Sequence, residues 1–322
     1  MPTWRALISD VKKQKRYVRN VLEPDIQKAM NNNDGSLDEE DFRKIRGYYG
    51  FGVPAIVGEG FCTLRGRAMS EKERLANTYQ GALTGLFDDF FDKTNPDRDD
   101  ILKMMNNPEV YHAQSSLERL FVDFLSKVHK NIDNKQSFAL TFRQVFDAQV
   151  ESQAQMRNDI TLDQIRTITF SKGGHSLLFY RSVFENKLSD TEEEALFTAG
   201  GLMQLGNDIF DVWKDAPQNI KTLVTACENI SKVREVFKEQ MNKTLSLFEQ
   251  TSFPRTNIRR YLHKLVLGIS RCYVCLDQLE GLEKQSSGQF NPSAYSREEM
   301  ICDMEKPLNM FRSVRYYLNY TF

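Results

Sequence analysis

Helical periodicity is the sequence feature that most constrains how this chain of 322 residues can fold. Apolar residues recur at intervals of three and four along almost every segment, and convincing strand alternation is absent. The pattern predicts about ten helices, near residues 10–31, 37–48, 71–92, 115–130, 138–158, 162–186, 191–215, 220–249, 256–282 and 297–320. We therefore expect an all-α fold in which residues 1–322 form a single domain.

Two local signals refine this prediction. Ser70 and Glu73 form a capping box ahead of a periodic run, which predicts a helix start at that point. Gly173 and Gly174 are expected to interrupt the helix over 162–186, because glycine is a poor helix former.

The charge balance and the hydropathy of the chain argue against several classes of partner. With 43 basic and 44 acidic residues and a formal net charge of -1, we expect no nucleic-acid surface. No apolar run approaches the roughly 18 to 20 residues that span a bilayer, so we expect no integral membrane span. The first residues lack the apolar centre of a signal peptide, which favours a cytoplasmic protein.

The five cysteines, an odd number, argue against a disulfide framework and favour a reducing compartment. Cys272 and Cys275 form a CxxC pair in an apolar helical stretch, and no second pair or histidine follows at zinc spacing. We therefore expect these two thiols to be buried core side chains rather than a metal or redox site.

Three carboxylates stand at the predicted end of the helix over 71–92, interleaved with phenylalanines. They are Asp88, Asp89 and Asp92, in the stretch GLFDDFFDKTNP. Acids are unfavourable at this end of a helix, because the macrodipole is negative there. A positive charge is therefore expected close to them.

A second acidic stripe ends the helix predicted over 191–215. Asn207, Asp211 and Asp215 follow at i, i+4 and i+8, which places them along one helix face, and Asp208 lies alongside. Like charges at such spacings destabilise an isolated helix. Mg²⁺ would reverse this effect, because it takes oxygen ligands and commonly bridges carboxylates to substrate phosphates. The two stripes together predict a metal–diphosphate site, and the alternative is two solvated acidic faces.

These residues resemble the two acidic motifs of the class I isoprenoid synthases, which are helical bundles around a central apolar cavity. The stretch 88–92 is similar to the family's aspartate-rich first motif. The stretch 207–215 is similar to its second motif, with Asp211 in place of Ser or Thr and Asp215 in place of Glu. The resemblance implies three Mg²⁺ ions, held by Asp88, Asp89, Asp92, Asn207, Asp211 and Asp215. It leaves open whether Asp208 binds metal or packs behind the ligands, and it implies that Lys214 contacts diphosphate.

The glycine pair and its neighbours are similar to a further feature of that family. Gly173 and Gly174 stand where the family has a broken helix beside the cavity, whose exposed carbonyls assist ionisation. Arg166, before the break, and Lys172, at the break, are the candidates that this resemblance offers for contacts to diphosphate.

The resemblance also implies a late Arg-Tyr pair that closes on diphosphate. Two pairs fit the requirement, Arg315–Tyr316 and Arg260–Tyr261, and the first is nearer the expected position.

Three more side chains have two interpretations. Phe87 and Phe210 could present aromatic faces to a carbocation in the cavity, but simple core packing is favoured for each. His175 could assist proton transfer, and a hydrogen-bonded core histidine is the favoured alternative.

The resemblance implies a Mg²⁺-dependent terpene synthase that ionises a prenyl diphosphate, expected to be C15 to C25, and converts the carbocation into a cyclic or linear terpene. The stretch GFGVPAIVGEG is similar to a bacterial branch of large-prenyl terpene synthases related to squalene and phytoene synthases. The enzymatic alternative is a prenyltransferase that condenses prenyl diphosphates. It is weakened because the paired arginines that follow the first motif in chain-elongating enzymes are missing. A helical interaction protein is the alternative from another class, and a homodimer is left open.

Overall fold

Helices make up all the regular secondary structure that the computed structural model describes, over residues 2–89, 98–286 and 288–320. No strand occurs in these ranges, which confirms the predicted all-α fold. Contacts divide the chain into two compact units, Met1–Arg143 with Phe179–Lys187 and Gln144–Leu178 with Leu188–Phe322. The single domain over 1–322 stays a prediction.

The first unit consists of short and medium helices joined by two π-helical stretches. In chain order these are α1 (Pro2–Tyr17), a π-helical turn (Val18–Leu22), α2 (Glu23–Asn31), α3 (Glu39–Arg43), a π-helical stretch (Lys44–Gly58), α4 (Glu59–Arg65), α5 (Glu71–Asp89), α6 (Arg98–Asn106), α7 (Ser116–Lys130) and α8 (Lys135–Ser152), which continues into the second unit. Its core is rich in aromatic rings, with Phe138 and Phe142 packed against Phe179 at centroid distances of 5.2 and 5.4 Å. Burial of such rings is a main source of core stability.

The predicted capping box at the start of α5 is confirmed. The Glu73 backbone N–H donates to Ser70 Oγ at 3.2 Å, and the Ser70 backbone N–H donates to Glu73 Oε2 at 3.0 Å. Two backbone donors that helix geometry leaves unpaired are satisfied in this way.

A buried polar network ties α1, α4 and the longer π-helical stretch to α5. The fully buried Arg74 donates to Gln14 Oε1 at 2.9 Å and pairs with Glu59. Gln14 Nε2 in turn donates to the Gly50 carbonyl at 3.0 Å and to Thr78 Oγ1 at 2.9 Å. A buried charge is tolerated only when it is paired in this manner.

The second unit contains the remaining α-helices, three of which contribute most of the buried side chains of its core. The bounds are α9 (Leu162–Arg181, whose last residues belong to the first unit), α10 (Asp190–Phe210), α11 (Val212–Asp215), α12 (Ile230–Glu249), α13 (Arg255–Ile269), α14 (Arg271–Gln285), α15 (Arg297–Met300) and α16 (Pro307–Leu318). Side chains of α10, α12 and α14 interlock, and Phe237 meets Tyr273 edge-on with centroids 4.9 Å apart.

Several helix bounds differ from the prediction because local hydrogen bonds and proline intervene. The helix predicted over 220–249 begins only at Ile230, where Asn229 Oδ1 accepts from the Ser231 N–H at 2.9 Å and caps the start. The predicted helix over 256–282 is divided near Ser270, and that over 297–320 is divided ahead of Pro307, a residue suited to a first helical turn.

The predicted interruption at Gly173 and Gly174 is wrong, because α9 runs through both as a continuous α-helix. The glycines serve close packing of α9 against α10 instead. A Cβ atom at Gly173 would lie 2.2 Å from the Gly200 carbonyl oxygen, and one at Gly174 would lie 2.4 Å from the Phe197 ring. No side chain larger than glycine fits such an approach.

The prediction for the cysteines is confirmed. Cys272 and Cys275 are buried at 1% and 0% exposure. Cys275 Sγ donates to the Ile209 carbonyl at 3.3 Å, so the pair packs α14 against the end of α10. In the part of the chain described, no helix combines the length and the apolarity needed to cross a bilayer.

Candidate functional site

The first acidic motif stands at the end of α5. Asp88 and Asp89 are the last residues of that helix, but their side chains, and the whole of Asp92, lie outside the described residues. The metal-binding role expected for these three carboxylates therefore stays a prediction.

The second motif bends at its centre, which corrects the expectation of one helix through residue 215. The α-helix α10 ends at Phe210, Asp211 adopts φ -91° and ψ 7°, and α11 begins at Val212. The Asp211 N–H still donates to the Asn207 carbonyl at 2.9 Å, and the Asp215 N–H to the Asp211 carbonyl at 2.8 Å. The backbone therefore keeps these helical hydrogen bonds, although the interruption at Asp211 means that the i, i+4 and i+8 positions no longer lie on one uninterrupted α-helix.

Asp208 is the most deeply buried carboxylate of the motif, at 5% exposure. Its Oδ1 accepts from Gln204 Nε2 at 2.8 Å, and its Oδ2 accepts from Thr169 Oγ1 on α9 at 3.2 Å. Burial raises the pKa of Asp208 to about 6, against the lowering effect of these two bonds and of Lys172. Both oxygens are thus engaged inside the protein, which favours a positioning role over metal ligation.

Thr169 and Gln204 did not stand out in the sequence. Gln204 precedes Asp208 by one helical turn, a spacing at which side chains meet. The contact of Thr169 depends on how α9 lies against α10, and no sequence spacing reports that.

Asp211 and Asp215 are partly buried carboxyl groups whose ionised form is poorly stabilised by the protein. Burial raises the pKa of Asp211. Lys214 and a hydrogen bond of 3.3 Å from Asn207 Nδ2 to Asp211 Oδ2 act in the opposite direction and lower it. Burial and the repulsion of Asp208 and Asp211 raise the pKa of Asp215 to about 7. A cation placed close to such a carboxyl group would stabilise its ionised form.

Lys172 is the positive charge that α9 brings to the motif. It follows Thr169 by three residues, so both lie on the face of α9 that meets Asp208. Its ammonium group lowers the pKa of both Asp208 and Asp215. Arg166, the other candidate on α9, is exposed and instead forms an ion pair of 3.5 Å with Glu239 on α12.

Lys214 is exposed and borders a pocket of about 520 Å³ beyond the motif. The other walls of this pocket include Trp213, Tyr295 and Arg297, and the Arg297 guanidinium lies 4.5 Å from the centre of the Trp213 ring. Such a contact is a cation–π interaction. Lys214 acts on both Asp211 and Asp215 by lowering their pKa.

The tyrosines of both late Arg-Tyr pairs have structural contacts. Tyr316 Oη donates to Asp277 Oδ1 at 2.7 Å, and Tyr261 is buried in the core. Arg315 and Arg260 are exposed, and their contacts with diphosphate stay predictions.

Two aromatic side chains proposed for a cavity have ordinary packing partners. Phe87 is 5% exposed and lies edge-on against Phe142, with ring centroids 5.2 Å apart. Phe210 lies beneath the Arg271 guanidinium at 5.1 Å. These contacts agree with the favoured core interpretation.

His175 departs from the favoured interpretation. Its ring meets Phe197 edge-on at 5.2 Å, and its buried Nδ1 has no hydrogen-bond partner among the described residues. Burial lowers the pKa of His175, against nearby acids that raise it. A neutral imidazole is therefore favoured at pH 7.

Among the side chains that the structure describes, which exclude those of Asp88, Asp89 and Asp92, no group of three or more His, Cys, Asp or Glu is arranged to hold a metal ion. Asn207, Asp211 and Asp215 nevertheless offer the hard oxygen atoms that Mg²⁺ selects. Their chemistry fits such an ion, and further ligands would have to come from other oxygen atoms.

Comparison with known proteins adds no family assignment. No protein-family model, curated protein or solved structure matches this chain.

Proposed function

We propose that this protein is a Mg²⁺-dependent class I isoprenoid synthase that acts on a prenyl diphosphate, expected to be C15 to C25, and forms a terpene. The observation that best supports the proposal is that Asp208, Asp211 and Asp215 are buried near one another at the end of α10, and burial raises the pKa of all three. Such crowding is costly for folding alone and becomes favourable when a divalent cation and an anionic ligand are added.

Three roles are proposed for the residues at the second motif: metal binding, positioning of the motif, and charge stabilisation of the diphosphate. Asn207, Asp211 and Asp215 would hold Mg²⁺, with Asp88, Asp89 and Asp92 supplying the other carboxylates. When bound, the metal would supply positive charge that stabilises the departing diphosphate.

Asp208 positions the motif by anchoring it to α9 through Thr169. Lys214 and Lys172 supply fixed positive charge for the diphosphate oxygens, since both already act on the carboxylates. Because α9 is continuous, no helix break frees the carbonyls of Gly173 and Gly174, and α9 contributes the ammonium group of Lys172 instead.

The direct test is incubation with C15, C20 and C25 diphosphates in turn, with and without Mg²⁺, followed by gas chromatography and a diphosphate assay. We expect Mg²⁺-dependent release of diphosphate with one of these substrates. Asp211→Asn should reduce the rate roughly 100-fold, as expected for loss of charge stabilisation in the transition state. Asp163→Asn, which alters an exposed carboxylate on α9, is the matched control and should leave the rate unchanged.

The second candidate function is condensation of two prenyl chains. Asp211 and Asp215 are one turn apart, with the Asp215 N–H bonded to the Asp211 carbonyl at 2.8 Å, and they fit the DxxxD pattern of squalene and phytoene synthases. A hydrocarbon or alcohol with the carbon number of the substrate indicates a synthase, and a longer chain indicates a prenyltransferase.

A helical interaction protein is the alternative outside enzymology. Calorimetric titration with Mg²⁺ and pyrophosphate distinguishes it. Absence of binding, together with absence of diphosphate release from every substrate, would reject both enzymatic functions.

A further inference from the structure

The C-terminal helix α16 (Pro307–Leu318) exposes an apolar face. Leu308, Phe311 and Leu318 are 61%, 67% and 68% exposed, and Met310 and Val314 are exposed beside them. These are five of the thirteen exposed large hydrophobic side chains of the described residues, concentrated in a helix of 12 residues. Scattered exposed apolar residues are ordinary, but a concentration of five on one short helix is not, and it calls for a partner.

The opposite face of α16 is firmly held by the protein. Tyr317 Oη lies 2.8 Å from His263 Nδ1 on α13, and Tyr316 Oη donates to Asp277 on α14 at 2.7 Å. Ser313, on the same face, is buried. Phe311, Val314 and Leu318 follow at i, i+3 and i+7, so they form a stripe that faces away from these contacts. The helix is therefore fixed in a position that keeps its apolar stripe outward.

Positive charge flanks this stripe. Lys306, Arg312 and Arg315 are exposed, and the stretch 306–318 contains no acidic residue. An apolar stripe with basic flanks is the pattern of a helix that lies in the plane of an anionic membrane surface.

A second copy of the chain fits the surface less well. A helix of 12 residues is about 18 Å long, so its exposed face offers roughly 200 Å² of contact. A stable protein interface needs about 800 Å² from each partner. Pairing of two α16 helices would also bring Arg312 and Arg315 of both copies together, and like charges at an interface are unfavourable.

We propose that α16 docks the protein peripherally on an anionic lipid surface. Phe311, Val314 and Leu318 would enter the boundary between headgroups and acyl chains, while Arg312 and Arg315 would contact lipid phosphates. Each basic residue near such a surface contributes by electrostatic attraction, which salt screens. The proposal goes beyond the proposed catalytic function and does not depend on it, since its test contains neither Mg²⁺ nor prenyl diphosphate.

The test is vesicle flotation of the full chain at low ionic strength. Vesicles of phosphatidylcholine alone are compared with vesicles that contain about one third phosphatidylglycerol. We expect the wild type to float with the anionic vesicles and to be released by high salt. Phe311→Ser with Leu318→Ser should lower the partition coefficient about tenfold or more, since exposed apolar side chains that enter lipid supply much of such binding.

The matched control carries Leu140→Ser and Leu162→Ser, which remove two exposed leucines from α8 and α9. It should float like the wild type. A Phe311→Trp variant gives a second measurement, because its added fluorescence should shift to shorter wavelength with anionic vesicles; the wild type, with two tryptophans, supplies the background.

Equal flotation of the wild type and the Phe311→Ser, Leu318→Ser variant would overturn the proposal. The proposal would also be overturned if the wild type did not float and instead sedimented as a dimer that the same double variant abolishes. In that case the surface binds a second copy of the chain.

Discussion

At the scale of single residues, the second acidic motif contains carboxylates that look alike in the sequence and differ in their surroundings. Asp208 has both oxygens bonded inside the protein, by Gln204 and Thr169. Burial raises the pKa of both Asp208 and Asp215, and for Asp215 the two neighbouring carboxylates raise it further, to about 7. Asp208 therefore anchors the helix, whereas the ionised form of Asp215 is poorly stabilised.

Replacement of Asp208 by asparagine should stabilise the metal-free protein at neutral pH. Burial raises the pKa of Asp208 to about 6 from an ordinary value of 3.8, so the folded state binds this proton more tightly than the unfolded state. Stability from this group is therefore full below about pH 4 and is lost as pH rises through about 6. We expect Asp208→Asn to raise the free energy of unfolding by about 1–3 kcal/mol at pH 8 and to leave it unchanged at pH 4.

Urea denaturation at both pH values measures this effect. Asp163→Asn, which removes an exposed carboxylate of α9, should show no such dependence. A loss of stability at pH 8 in Asp208→Asn would mean that the hydrogen bonds of the ionised carboxylate outweigh its burial.

At the scale of elements, the packing of α9 against α10 controls the second motif. Gly173 and Gly200 meet so closely that the Cβ of either would lie 2.2 Å from the other's carbonyl oxygen. This approach brings Thr169 to Asp208 and Lys172 to the carboxylates. The glycines of α9 lower its intrinsic helix propensity, but its close packing against α10 requires them.

Gly200→Ala should destabilise the protein by about 1–3 kcal/mol, because the added methyl group overlaps backbone atoms that cannot move aside. Gly281→Ala is the control, since the added Cβ meets nothing within 4 Å in the helix α14. It should stabilise by about 0.5–1 kcal/mol through helix propensity. Thermal unfolding of both variants and the wild type measures these changes in stability. If Gly200→Ala were as stable as Gly281→Ala, α9 and α10 would be able to move apart at little cost in free energy.

At the scale of the whole molecule, the proposed ligand should stabilise the folded chain. A ligand that binds only the native state at 100 times its Kd adds about 2.7 kcal/mol. For a protein of this size that corresponds to a rise in Tm of several degrees. We expect Mg²⁺ with pyrophosphate to raise Tm for the wild type and to have no effect on Asp211→Ala.

The same measurement on Asp88→Ala tests whether the first motif binds the same ligand. A lost shift in both variants supports one site that needs both motifs. A shift retained in Asp88→Ala would exclude the first motif from that site.

The sequence by itself determined the features that depend on neighbours along the chain. Apolar spacing predicted an all-α protein, the Ser70–Glu73 pair predicted the start of α5, and the apolar surroundings of Cys272 and Cys275 predicted buried thiols. Each of these is a property of one helix and its nearest turn, which local patterns encode.

Only the tertiary structure decided the features that depend on contacts between helices. It kept α9 continuous through its glycines, ended α10 at Phe210 and gave Asp208 a partner on another helix. Helix propensity differences are about 1 kcal/mol per residue or less for these residues, so packing and desolvation outweigh them wherever two helices meet.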